Sequence, residues 1–214
     1  MPVSSLRLLD DYARKVPKQE INDLPVCAWM GDVHVARDSD ETAEAVEVLS
    51  RETVLGFDTE TRPAFRKGVS YPPALIQLAG ANAVYLFQLS QIEDLRPLQA
   101  LLSDAAVLKT GVGLIQDVKQ LQEVAPFTPG GFVDVGEAAA RNEVASRGLR
   151  SMAAAFFGVR ISKRAQCSNW ANDVLEAYQI RYAATDAWIS REIYLAMQPL
   201  ALVDPQLDAV LLDS

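Results

Sequence analysis

Carboxylates occur at three spacings that could hold a divalent cation. In Phe57-Asp58-Thr59-Glu60-Thr61 the two acids stand at i and i+2, after the short apolar run Val54-Leu55-Gly56-Phe57. If that run is a strand, alternate side chains share a face and Asp58 and Glu60 project together. Two neighbouring carboxylates repel each other. A hard cation with oxygen ligands, Mg²⁺ or Mn²⁺, relieves that repulsion; the alternative is a solvated strand end. In Tyr182-Ala183-Ala184-Thr185-Asp186 a phenol and a carboxylate are spaced i and i+4, one above the other on a helix face. The alternative there is a packing tyrosine beside a solvated acid. Asp117 falls in the first turn of a helix after Gly111-Val112-Gly113, where the helix dipole alone favours an acid. The two glycines make no dinucleotide fingerprint, because position 116 is Gln where a third glycine is needed. Asp134 starts a further helix and reads as its cap.

Composition removes other chemistries. His34 is the single histidine, so a His-Glu-x-x-His zinc helix is excluded. Cys27 and Cys167 form no Cys-x-x-Cys pair, which excludes a thiolate zinc site or a dithiol redox centre. Two distant cysteines fit a reducing compartment, and Asp10 and Asp11 interrupt the start before a secretory apolar core could form. No apolar run approaches the roughly 18 residues of a membrane span. A cytoplasmic chain with no membrane partner is expected. The net charge of −8 disfavours passive binding to phosphate backbones, yet it leaves room for an acidic metal centre acting on them.

The elements that would position these acids can be read from apolar spacing. A helix is expected from about Ser39 to Arg51, with Asp38 or Ser39 as cap. Strands are expected at Val54–Phe57, Ala74–Ala79 and Ala83–Phe87, the last two joined as a hairpin through Gly80-Ala81-Asn82. A helix over about Ile92–Leu102, a strand at Ala106–Lys109 and a helix over about Leu114–Glu123 follow. Past Phe132 the chain reads as helical, at Val135–Arg141, Leu149–Phe157 and about Glu176–Met197. Early strands, then alternation, then helices describe an α/β architecture with a mixed sheet. At 214 residues one domain is expected, residues 31–214, preceded by an N-terminal arm at 1–30.

Taken together the segments are more specific than any one alone. Gly56-Phe57-Asp58-Thr59-Glu60, Pro73-Ala74-Leu75-Ile76-Gln77-Leu78-Ala79, Cys167-Ser168-Asn169-Trp170 and Tyr182-Ala183-Ala184-Thr185-Asp186-Ala187 come in that order. From about Val54 to Met197 the chain resembles the DEDD 3′–5′ exonucleases. Within them it is similar to the tyrosine subgroup that includes ribonuclease D and the Werner-syndrome exonuclease domain. The resemblance implies a ribonuclease-H-like mixed β-sheet flanked by helices. It also implies two divalent cations, Mg²⁺ or Mn²⁺, on Asp58, Glu60, Asp117 and Asp186, with Tyr182 as the fifth catalytic residue. Asp58 would bridge both ions, Glu60 and Asp186 would complete the water-activating one, and Asp117 would help hold the second. The implied reaction is hydrolysis from the single-stranded 3′ end of DNA or RNA, releasing nucleoside 5′-monophosphates. Tyr182, with an ordinary pKa near 10, would orient the water rather than deprotonate it. Two features depart from ribonuclease D. The segment after Trp170, Ala171-Asn172-Asp173-Val174-Leu175, lacks its Arg-Pro-Leu, and only 17 residues follow Met197, so a stand-alone nuclease core is expected.

Charge supplies the substrate contacts. From Arg141 to Asn172 six cations face one carboxylate, a balance of +5, while the rest of the chain carries −13. Lys163 and Arg164 are the preferred phosphate contacts and Thr59 a further one; Arg62, Arg66 and Lys67 come second. The alternative for the island is a set of solvated helix faces. Trp170 reads as core or as a base-stacking platform, and Cys167 as an inert buried thiol. Two other functions fit the same residues: a binding module of this fold with weak or no hydrolysis, and a different ribonuclease-H-like enzyme such as an endonuclease.

Overall fold

A computed structural model describes residues 6–64, 66 and 68–210. Residues 1–5 of the N-terminal arm, and Lys67, lie outside the described residues. The elements in chain order are α1 (Lys18–Asp23), β1 (Asp32–Ala36), α2 (Ser39–Leu49), β2 (Val54–Thr61), β3 (Pro73–Ala79) and β4 (Ala83–Gln88). Then follow α3 (Arg96–Ser103), β5 (Leu108–Gly111), α4 (Leu114–Val124), β6 (Phe132–Asp134), α5 (Val135–Arg141), α6 (Leu149–Phe157) and α7 (Ala177–Met197). The strands form one mixed sheet in the order β1-β4-β3-β2-β5-β6. The β2–β3 and β3–β4 pairs are antiparallel, and β1–β4, β2–β5 and β5–β6 are parallel. This is the expected α/β mixed sheet flanked by helices. No helix among the described residues is long and apolar enough to cross a membrane.

Period-2 alternation in β2 divides its side chains between two cores. Leu55 and Phe57 pack with α2, α3 and α4 on one face. Val54 joins β3, β4, α6 and α7 on the other. The helix expected from Ile92 begins instead at Arg96. Pro97 sits in its first turn, where a missing N–H costs nothing, and a 3₁₀ turn at Leu89–Gln91 precedes it. The strand expected at Ala106–Lys109 runs Leu108–Gly111, because Asp104 accepts the Ala106 N–H at 2.8 Å and keeps that stretch a turn. Two edge strands, β1 and β6, were not expected.

Two glycines set where the site can form. A Cβ on Gly56 would lie 1.8 Å from the Ala187 carbonyl oxygen, so glycine lets α7 seat directly on β2, beside the turn that carries Asp186. Gly56→Ala is expected to lower stability by about 3 kcal/mol or more through overpacking against backbone. Urea melts check this, and an unchanged midpoint would mean α7 is not seated there. Gly113 has φ +75°, the left-handed conformation that turns the chain from β5 into α4. Asp134 caps α5, as expected, by accepting the Gly136 and Glu137 N–H groups at 2.9 and 3.2 Å. Its other oxygen accepts the Leu114 N–H at 2.9 Å, so one buried carboxylate caps both α4 and α5.

Candidate metal centre

The centre lies where β2, α4 and α7 converge. Asp58 and Glu60 project from the same face of β2 as Gly56, toward α7. One turn of α7 places Tyr182 and Asp186 on the face that meets them. Ligand oxygens of Asp58, Glu60 and Asp186 lie within 4.8 Å of one another. Asp117 stands outside that trio, on the first turn of α4 across β2. It is tied to the strand by the Thr59 hydroxyl, which donates to its Oδ1 at 3.0 Å. Thr59 is buried, and its hydroxyl serves Asp117. Asp58, Glu60, Tyr182 and Asp186 therefore line one cleft, and Asp117 is joined to them through Thr59.

The electrostatics are those of a site short of positive charge. Burial, then the charges of Asp186 and Asp117, push the Asp58 carboxyl well above its usual range. Burial and the same three acids push Glu60 up to about 10. Burial raises Asp117 to about 6 even though the Thr59 hydroxyl opposes the shift. It raises Asp186 to about 7 against a contribution from the Tyr182 phenol. Burial, together with Asp186 and Glu60, also raises Tyr182, which keeps its proton at neutral pH. Asp186 is 5% exposed, and its Oδ1 has no hydrogen-bond partner. A buried, unpaired carboxylate oxygen facing two more carboxylates fits the donor set of a hard divalent cation.

The trio opens into a cleft of about 600 Å³. Lys163 lines it. Arg164 turns aside, with its guanidinium 5.4 Å over the Tyr178 ring beside a smaller cavity of about 170 Å³ behind Asp186. Arg62 and Arg66 line a separate groove, where Arg62 lies 5.1 Å over the Tyr71 ring. The basic island divides. Arg141 pairs with the buried Asp208, and Arg160 donates to the Leu24 carbonyl at 2.9 Å. Trp170 is core: it is 1% exposed and packs on Tyr182 at 5.9 Å, bracing the phenol. Cys167 is exposed, not the buried thiol expected. The turn closed by Ser168 N–H on the Ala165 carbonyl at 2.9 Å tucks Trp170 inward and leaves Cys167 outside, in the groove with Arg62. Sequence reasoning missed Lys18 and Ile21 of α1, which line the cleft with Arg150. Nothing in their local pattern signals this, because it depends on how the segment docks.

Fold and site together place the chain among α/β proteins with a buried carboxylate centre at the end of a central strand. The profile of the 3'-5' exonuclease family matches residues 33–201, and the chain belongs to that family. Among curated relatives, the bifunctional 3'-5' exonuclease/ATP-dependent helicase WRN of Mus musculus is 29% identical over 205 residues. That alignment covers 91% of this chain and 15% of WRN. The exonuclease mut-7 homolog of Homo sapiens is 29% identical over 214 residues, covering 87% of this chain and 23% of that protein. The chain thus spans less than a quarter of either relative. The EXO domain of Aedes aegypti Nibbler superposes with a TM-score of 0.73 at 24% identity, covering 85% of this chain and 96% of that domain, which shows the shared fold.

Proposed function

We propose that this chain is a metal-dependent 3′–5′ exonuclease that hydrolyses the terminal phosphodiester of a nucleic-acid strand and releases nucleoside 5′-monophosphates. The observation that carries this reading is the trio of half-buried Asp58 and Glu60 with buried Asp186, one of whose oxygens has no partner. In this reading Asp58, whose charged form is opposed by burial and by both Asp186 and Asp117, would be the carboxylate shared between two ions. Glu60 and Asp186 would hold one ion with it, and Asp117, steadied by Thr59, would help hold a second. The chemistry that Mg²⁺ or Mn²⁺ would supply there is a lowered water pKa and stabilised charge on a leaving oxygen. Tyr182 stays protonated, so it acts as a hydrogen-bond donor that orients the nucleophile or the phosphate rather than as a base. Lys163 faces the same cleft and offers its ammonium to a phosphate.

The test is a paired digestion of 5′-labelled single-stranded DNA and RNA of one sequence, in Mg²⁺, in Mn²⁺ and in EDTA, with circular DNA alongside. The expected result is a one-nucleotide ladder that needs metal and leaves the circle intact. The relative rates on the two strands set the substrate class. No ladder in either metal from folded protein would overturn the reading in favour of a binding module, and cutting of the circle would make it an endonuclease.

A further inference from the structure

The cleft has a second wall, built by the segment before the family-matched region. Residues 17–29 are fastened to the fold at several points. Ile21 of α1 is 7% exposed. The Leu24 and Pro25 carbonyls accept from Arg160 side chain and backbone, each at 2.9 Å, and the Cys27 N–H donates to the Arg160 carbonyl at 2.8 Å. The Trp29 ring packs on Trp188 at 5.6 Å, and its backbone N–H donates to the Thr185 hydroxyl at 3.1 Å, one residue from Asp186. So anchored, the segment brings Lys18 to the cleft that Asp58, Glu60 and Asp186 also line. Asn22 accepts from Arg150 Nη2 at 2.7 Å and so orients that guanidinium, whose Nε is buried with no partner.

Among the described residues, no ion pair within 4.0 Å involves Lys18, Arg150 or Lys163. In a chain of net charge −8, three cations without carboxylate partners line one cleft. We propose that the N-terminal segment is a wall of the substrate cleft and that Lys18 and Arg150 bind a phosphate of the nucleic-acid strand. This rests on the exonuclease reading above. The chemistry is that of a phosphodiester oxygen pair, which takes a charged guanidinium N–H and an ammonium together.

The experiment is fluorescence anisotropy of a 5′-fluorescein thymidine 12-mer on the full chain. Ca²⁺ replaces the catalytic ion, and NaCl is varied. Lys18→Gln and Arg150→Gln are each expected to weaken binding about tenfold at low salt. Each is also expected to flatten the plot of log Kd against log salt by about 0.7, the contribution of one single-strand phosphate contact. Lys18→Arg should keep the wild-type slope, which separates lost charge from a disturbed fold. A chain that digests the strand while Lys18→Gln keeps the wild-type affinity and slope overturns the phosphate contact and leaves the exonuclease standing. A chain that digests nothing but shows the Lys18-dependent slope does the reverse.

Discussion

Replacing Asp58 with Asn should abolish turnover and at the same time raise the melting temperature of the metal-free protein. The side chains are nearly isosteric, so the strand and its packing are retained. Asn removes a carboxyl whose charged form is opposed at that point by burial, Asp186 and Asp117. An ion held by such carboxylates contributes several kcal/mol of charge stabilisation to a hydrolysis, so loss of one of the trio should cost about 10³-fold or more in rate. In EDTA at pH 8, relief of repulsion in such a cluster is worth about 1–2 kcal/mol, or roughly 2–8 °C in a chain of this size. The measurements are a single-turnover digestion in Mn²⁺ and a thermal melt in EDTA. Turnover within tenfold of wild type would remove Asp58 from the centre. A lowered melting temperature would show that its carboxylate is paired rather than strained.

That opposition explains which parts of the site were legible in the sequence. Asp58 with Glu60, and Tyr182 with Asp186, are local spacings of two and four residues, and local geometry alone puts each pair on one face. Their meeting is not local. It depends on Gly56, where the absent side chain lets the Ala187 backbone approach. It also depends on Thr59, whose hydroxyl crosses to Asp117. A glycine inside a strand and a threonine between two acids carry no such message by themselves. The long, periodic helices and the β3–β4 hairpin were readable because their burial pattern repeats. Strand β1, Asp32–Ala36, alternates inward and outward on an edge but lies in a stretch of mixed polarity, and β6 has three residues, too few for a pattern. Cys167 and Trp170 sit three residues apart on a turn, and composition could not say which would face inward. The cleft wall around Lys18 is legible only once Arg160 has tied the segment down, because a helix of six residues has no fold of its own.

Without metal, the protein should lose stability as the pH rises from 5 to 8, and Mn²⁺ should reverse the trend. Asp117 and Asp186 hold their protons up to about pH 6 and 7 in the fold, whereas an unfolded aspartate releases its proton near 4. A folded-state pKa raised above the unfolded value contributes stability that is fully present below about pH 4 and is lost as the pH climbs through the folded value. Glu60, raised to about 10, continues the loss beyond neutrality. An ion bound between these oxygens takes the place of the protons, so its affinity grows over the same window as they leave. Thermal melts in EDTA and in excess Mn²⁺ at pH 5.0, 6.5 and 8.0 read both effects. The Mn²⁺-induced rise in melting temperature should be slight at pH 5.0. At pH 8.0 it should reach about 5 °C or more, as expected for an ion at roughly a hundred times its Kd. In Asp58→Asn the rise at pH 8.0 should largely disappear. An equal rise at all three pH values, or one that survives that substitution, would place the ion away from the trio and remove the physical reason for four acids to share the end of one strand.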